Sequence, residues 1–343
     1  MADSDIAQPN IRITKPRRKF KGHEKLIAAI AVFPDGRRMV TASYDKILCL
    51  WDLENGALMK KMEGHRGGVE AVAVSGDGKL IASGGLDGEL LAWDGDTGRS
   101  LTQAIRGHSE RITSLCFSPD RAVLATVSLD KIIQFWRTDT WQIQGHPINS
   151  GGEISCVRYS PSGELLAIST PKHVQIWDPS LSDPKCVAQL SVGDLFSTLH
   201  FSLAWSRDGT RLFSAGSFIQ EWDTSTWNEV GDPWSGHTDT IYAIALNSTG
   251  TLIASTSYDN YLRLWRLSDR QNIAVFKAPG DIYCITFSID GNYILRGGYA
   301  ANLAEWAVPG GANAVLEGYA LDVGFSSFRV PPSPHLSHSE LAK

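Results

Sequence analysis

The run Ser255-Thr256-Ser257-Tyr258-Asp259-Asn260-Tyr261-Leu262-Arg263-Leu264-Trp265 decides the fold. From Tyr261 to Leu264 the side chains alternate, which is the period of a strand and not of a helix. The same alternation, Ile47-Leu48-Cys49-Leu50, leads into Trp51. A Trp closes each of seven such units: Trp51, Trp93, Trp136, Trp177, Trp222, Trp265 and Trp306, at intervals of 42, 43, 41, 45, 43 and 41 residues. Turns recur upstream, as in Pro34-Asp35-Gly36, Gly76-Asp77-Gly78, Ser248-Thr249-Gly250 and Ile289-Asp290-Gly291. Gly36, Gly78, Gly250 and Gly291 each lie 15 residues before their Trp, where hairpins need positive φ. Helical periodicity is absent, so the chain reads as all-β.

A finer pattern lies within the repeat. In units 1, 2, 3 and 6 a Gly-His pair precedes an Asp by 22 residues, and the Trp follows the Asp by 6. A Ser or Thr stands four residues before each Asp. The four sets are His23, Thr41, Asp45, Trp51; His65, Ser83, Asp87, Trp93; His108, Thr126, Asp130, Trp136; and His237, Ser255, Asp259, Trp265. Trp51-Asp52, Trp93-Asp94, Trp177-Asp178 and Trp222-Asp223 add a terminal Trp-Asp. These units resemble the WD40 repeat, including the divergent repeats abundant in fungal proteins. The resemblance implies a seven-bladed β-propeller of four-stranded antiparallel blades around a channel. It also implies a hydrogen-bonded Ser/Thr–His–Asp–Trp network within each intact blade. The chemistry fits: a neutral imidazole has one donor and one acceptor, so it can bridge a carboxylate and a hydroxyl while the indole N–H donates. Four copies of the trio argue for architecture and against a Ser-His-Asp hydrolase.

Units 4, 5 and 7 depart from the pattern. Asn149, Asp194 and Ala278 stand where the His is expected, and Pro171, Gly216 and Ala300 where the Asp is expected. His146 follows a Gly but lies three residues too early. The expected organisation is a flexible N-terminus over 1–10, a propeller over 11–308 and a Gly- and Pro-bearing tail over 309–343. The segment 11–21 is expected to close the last blade, because Arg17-Arg18-Lys19-Phe20-Lys21 runs into Gly22-His23 in phase. Asn313–Gly318 is the competing outer strand. The basic run Lys15–Lys21 reads as a strand guarded against edge-to-edge pairing, with a nuclear-targeting or nucleic-acid patch as the alternative.

Composition narrows the function. With 32 Lys+Arg against 37 Asp+Glu, the net charge of −5 argues against a chain built to neutralise a phosphate backbone. The five cysteines form no CxxC pair and read as reduced, mostly buried thiols of an intracellular protein, cytoplasmic or nuclear. No membrane span, nucleotide-binding loop, nucleophile elbow or clustered metal ligands are read, and no cofactor or metal is expected.

The resemblance points to the top face, where three positions per blade commonly flank the channel. One lies five residues after the His and another just before the Asp. There the chain carries Tyr44, Phe201, Tyr242, Tyr258, Tyr283 and Tyr299 over blades 5, 6, 7 and 1, with Asp281 beside them. Aromatic rings at a channel mouth have the composition of interaction hot spots. The expected role is a non-enzymatic protein-binding scaffold, monomeric, with other proteins or peptides as partners. A nucleic-acid or chromatin-associated propeller and an enzyme built on a propeller are the alternatives.

Overall fold

The computed structural model describes residues 15–179, 184–192, 202–278 and 280–309. Seven antiparallel sheets follow one another along the chain, each starting from an inner strand and stepping outwards. Blade 1 runs Ile27–Val32, Arg38–Ser43, Ile47–Asp52, Leu58–Glu63. Blade 6 repeats it as Ile241–Leu246, Leu252–Ser257, Tyr261–Arg266, Asn272–Lys277. The inner strands of successive blades touch, and that of blade 7 (Ile282–Phe287) touches that of blade 1, so the ring closes into a β-propeller.

The turn chemistry works as the spacing predicts. Gly36, Gly78, Gly250 and Gly291 all have φ between 67° and 72°, in the left-handed region that costs glycine nothing. Inner and second strands are buried almost without break, because both sheet faces meet a neighbouring blade. Among the described residues only Tyr299–Ala301 is helical, as one 3-10 turn.

Blade 7 takes its outer strand from the other end of the chain. Arg18–Phe20 pairs antiparallel with the strand Leu303–Ala307, placing Arg18 opposite Glu305 and Phe20 opposite Leu303. The buried Glu305 carboxylate meets Arg17 at 3.5 Å and Arg18 at 3.7 Å. Arg18 also donates to the carbonyl of Glu54 in blade 1. Part of the basic run is thereby spent on joining the ends of the ring. Residues 310–343, including the rival segment Asn313–Gly318, lie outside the described residues, as do 1–14.

Among the described residues, five inner strands carry a β-bulge. Register slips between Ile27 and Ala29, Val69 and Ala71, Ile112 and Ser114, Ile241 and Ala243, and Ile282 and Cys284. The extra residues are Ala28, Glu70, Thr113, Tyr242 and Tyr283, which are the five-after-His positions. A bulge sets its extra residue outside the ladder register and re-aims its side chain.

Candidate functional site

The internal networks tie the loop after each His to its blade. In blade 1 the Trp51 indole N–H donates to Thr41 Oγ1 at 2.8 Å, His23 Nε2 lies 2.7 Å from the same hydroxyl, and His23 Nδ1 lies 2.8 Å from Asp45. Blade 3 repeats this through Trp136, Thr126, His108 and Asp130, and blade 6 through Trp265, Ser255, His237 and Asp259. Each carboxylate also accepts the backbone N–H of the residue after the His: Glu24, Ser109 and Thr238. Burial pushes the Asp45, Asp130 and Asp259 carboxyls upward, but the histidine and backbone donors outweigh it and hold all three below the usual carboxylate range.

Blade 2 departs from the expectation. Trp93 and His65 both reach Ser83, at 2.8 and 2.7 Å, but His65 Nδ1 and Asp87 Oδ2 have no hydrogen-bond partner. The reason lies two residues before the Asp. Blades 1, 3 and 6 carry Ser43, Ser128 and Ser257 there, and each Oγ accepts the backbone N–H of the Asp at 3.1 Å. Blade 2 carries Gly85, and a Cβ on it would lie 2.4 Å from Asp87 Oδ1 and 3.1 Å from His65 Nδ1. Asp87 Oδ2 leans over Gly67, where a Cβ would meet it at 2.9 Å. Lys25, Glu110 and Asp239 occupy that place in the other three blades. Two glycines thus let the carboxylate turn away, into the lining of a cleft of about 460 Å³ between blades 2 and 3, beside Arg66, Leu86 and Glu89. Burial without a partner drives the His65 imidazole down to about 4, although the Asp87 charge opposes it.

Six of the seven closing indoles have an acceptor: Trp51, Trp93, Trp136 and Trp265 donate to the Ser or Thr hydroxyl of their blade, Trp177 to Gln175 Oε1 at 3.0 Å and Trp222 to Ser214 Oγ at 2.9 Å. Trp306 in blade 7 is the exception. His146, out of phase in sequence, is exposed and outside any network.

The aromatic group over blades 6, 7 and 1 divides into two layers. Tyr242 and Tyr283 are 0% and 2% exposed, so they do not form the rim that their slot suggested. Tyr242 reaches across to Tyr283 of the next blade, with ring centroids 4.9 Å apart, and packs against Tyr258 of its own blade at 3.9 Å, both pairs tilted. The same slot bridges blades elsewhere, through Glu70 to Arg111 at 3.7 Å and through Thr113 Oγ1 to the carbonyl of Ile154 at 2.6 Å. Above this floor Tyr44, Tyr258 and Asp281 are half-buried, and Tyr299 is 63% exposed. The Tyr283 hydroxyl donates to Asp281 at 3.5 Å, and burial together with that carboxylate pushes its phenol up to about 12. Phe201 lies outside the described residues.

No group of three or more His, Cys, Asp or Glu among the described residues is arranged to hold a metal. No helix among them is long and apolar enough to cross a membrane. Cys49, Cys116, Cys156 and Cys284 are buried and outside any disulfide, and Cys186 is exposed.

Comparison with known proteins adds the family. The sequence model described as "WD domain, G-beta repeat" matches residues 14–52, 56–94, 99–137, 138–178 and 229–266. The chain is 41% identical over 192 residues to MST50-interacting protein 11 of Pyricularia oryzae, covering 54% of this chain and 60% of that protein. It is 33% identical over 266 residues to cross-pathway control WD-repeat protein 2 of Flammulina velutipes, covering 74% and 82%. To the small ribosomal subunit protein RACK1 of Caenorhabditis elegans it is 32% identical over 272 residues, covering 75% and 82%.

Proposed function

Because the chain belongs to the WD40-repeat family, we propose that it is a protein-binding platform without chemistry of its own, and that a partner docks on the top face over blades 6, 7 and 1. The observation that carries this reading is Tyr299, the most exposed large hydrophobic among the described residues at 63%. It sits on a turn in which Ala300 and Ala301 hold φ of 54° and 57°, a conformation that costs a non-glycine residue energy. Its backbone N–H donates to Asp281 O at 3.1 Å, which ties it to the half-buried tyrosine layer. A rigid ring presented by a strained turn over a packed aromatic floor suits an anchor that loses little entropy on binding. The similarity to a protein named for its interaction with another protein supports the same class of role.

The test is affinity capture with the full chain, followed by titration of the captured partner. Tyr299→Ala should weaken binding by about 2 kcal/mol, roughly thirtyfold, if the ring is a hot spot. Leu86→Ala, over blade 2, should bind as the parent does. Unchanged affinity for Tyr299→Ala with the fold intact would move the site to the sides, the bottom face or the tail.

A further inference from the structure

Arg296 occupies the slot in blade 7 that holds the network hydroxyl in blades 1, 2, 3 and 6. It pairs with Ile285 as Thr41 pairs with Ile30, and it precedes Ala300 by the same four residues that separate Thr41 from Asp45. The exchange changes the chemistry of the slot. Thr41, His23 and Asp45 form a chain of donors and acceptors in which every indole, hydroxyl and imidazole proton has somewhere to go. In blade 7 the equivalents are Arg296, Ala278 and Ala300, so the acceptors are gone and a donor-only cation has arrived.

The consequence is visible in the partners. Arg296 is 1% exposed and Trp306 2% exposed. Nε and Nη1 of Arg296 and Nε1 of Trp306 find no acceptor among the described residues. The guanidinium carbon lies over the face of the Trp306 ring, 5.5 Å from its centre, so the cation meets the ring's π-face and the orphaned donors belong to two side chains in contact. The titratable neighbour that acts on Arg296 is the Cys284 thiol, which complete burial keeps protonated and therefore uncharged. Burial pulls the guanidinium down to about 10, which still leaves it cationic at neutral pH. The ring face offsets only part of the cost of burying a charge that has neither counter-ion nor hydrogen-bond acceptor at Nε and Nη1. Ala278 has no ring to fill the place the imidazole takes in the intact blades.

We infer that the interior of blade 7 binds a small monovalent anion of the halide class, held by Arg296 Nε and Nη1 and by the Trp306 indole N–H. A donor-only locus selects an acceptor-only ligand, and exposures of 1% and 2% leave no opening for a carboxylate side chain of another protein. The anion does in blade 7 what the hydroxyl and imidazole do in blade 1.

Bromide is the probe. Thermal melts of the full chain in bromide, against gluconate at matched ionic strength, should rise by about 2 °C for each tenfold increase above the dissociation constant. Arg296→Thr, which restores the residue of blades 1 and 3, and Arg296→Met should both abolish that dependence. A flat response of the parent protein, or the same slope in the two variants, would overturn the assignment; the first means that water alone satisfies the donors, the second that bromide binds elsewhere. Should neither variant fold, anomalous scattering from bromide-grown crystals of the parent decides. A peak within hydrogen-bond distance of both Arg296 and Trp306 is expected, and its absence refutes the site.

Discussion

Gly85→Ser should repair the broken network of blade 2. The three blades with intact His–Asp contacts carry serine two residues before the Asp, and each Ser Oγ both accepts the Asp backbone N–H and donates to a carbonyl of the preceding loop. In blade 2 the new Cβ would fall 2.4 Å from Asp87 Oδ1 and so expel the carboxylate from its present position. The obstacle is the far end of a side chain, not backbone, so it can give way, and the expected new position is the one Asp45 holds against His23. The variant gains the His65–Asp87 bond, an Asp87 N–H to hydroxyl bond and a less entropic unfolded chain. Together these are worth about 1 to 2 kcal/mol at pH 7.

The larger signature is in pH. His65 is held down to about 4 from 6.5, so the folded state resists a proton that the unfolded state takes up. Above pH 6.5 both states are neutral and the shift contributes nothing. As pH falls from 6.5 towards 4 stability is lost, by about 2 kcal/mol at pH 5. A carboxylate bonded to Nδ1 favours the imidazolium and returns the folded pKa towards its ordinary value. Gly85→Ser should therefore be further ahead of the parent protein at pH 5 than at pH 7. Urea titrations at both pH values measure the difference, and NMR titration of His65 reads the pKa directly. A variant whose His65 still titrates near 4, with no added advantage at pH 5, would refute the account of why Asp87 turns away.

The other expectations follow from the same geometry. His23→Ala removes the bonds to Asp45 and Thr41 at once and leaves a half-buried carboxylate without its main partner, so about 2 to 3 kcal/mol should be lost in denaturant titration. His146→Ala, on an exposed side chain outside the network, should change stability by less than about 0.5 kcal/mol. Deleting residues 1–21 takes away the strand Arg18–Phe20 and its contacts to Glu305, and uncovers the strand Leu303–Ala307 as an edge. The truncated protein should melt earlier and self-associate in sedimentation; an unchanged melting temperature with a monomeric profile would show that the pairing does not close the ring.

The blade count was legible in the sequence because one Trp per unit at near-constant spacing is a long-range signal that local accidents do not disturb. The tyrosine layer was not legible at the same level. Counting residues from the His assumes strict alternation, and a bulge inserts one residue that breaks it, so Tyr242 and Tyr283 meet each other across the seam between blades 6 and 7 and are buried. Blade 2 shows a different limit. All four motif residues are present there, yet the network fails at Gly67 and Gly85, which lie outside the motif but decide where Asp87 can point. The comparison that could have exposed it was available in the chain itself: Ser43, Ser128 and Ser257 against Gly85. Arg296 lies between these cases. Its place in the hydroxyl slot can be counted from Ala300, but a slot reveals only which residue type is unusual. That the substitution leaves three donors and no acceptor follows only once Ala278, Trp306 and Cys284 are seen around it, because satisfaction of a buried polar group belongs to a neighbourhood and not to a position.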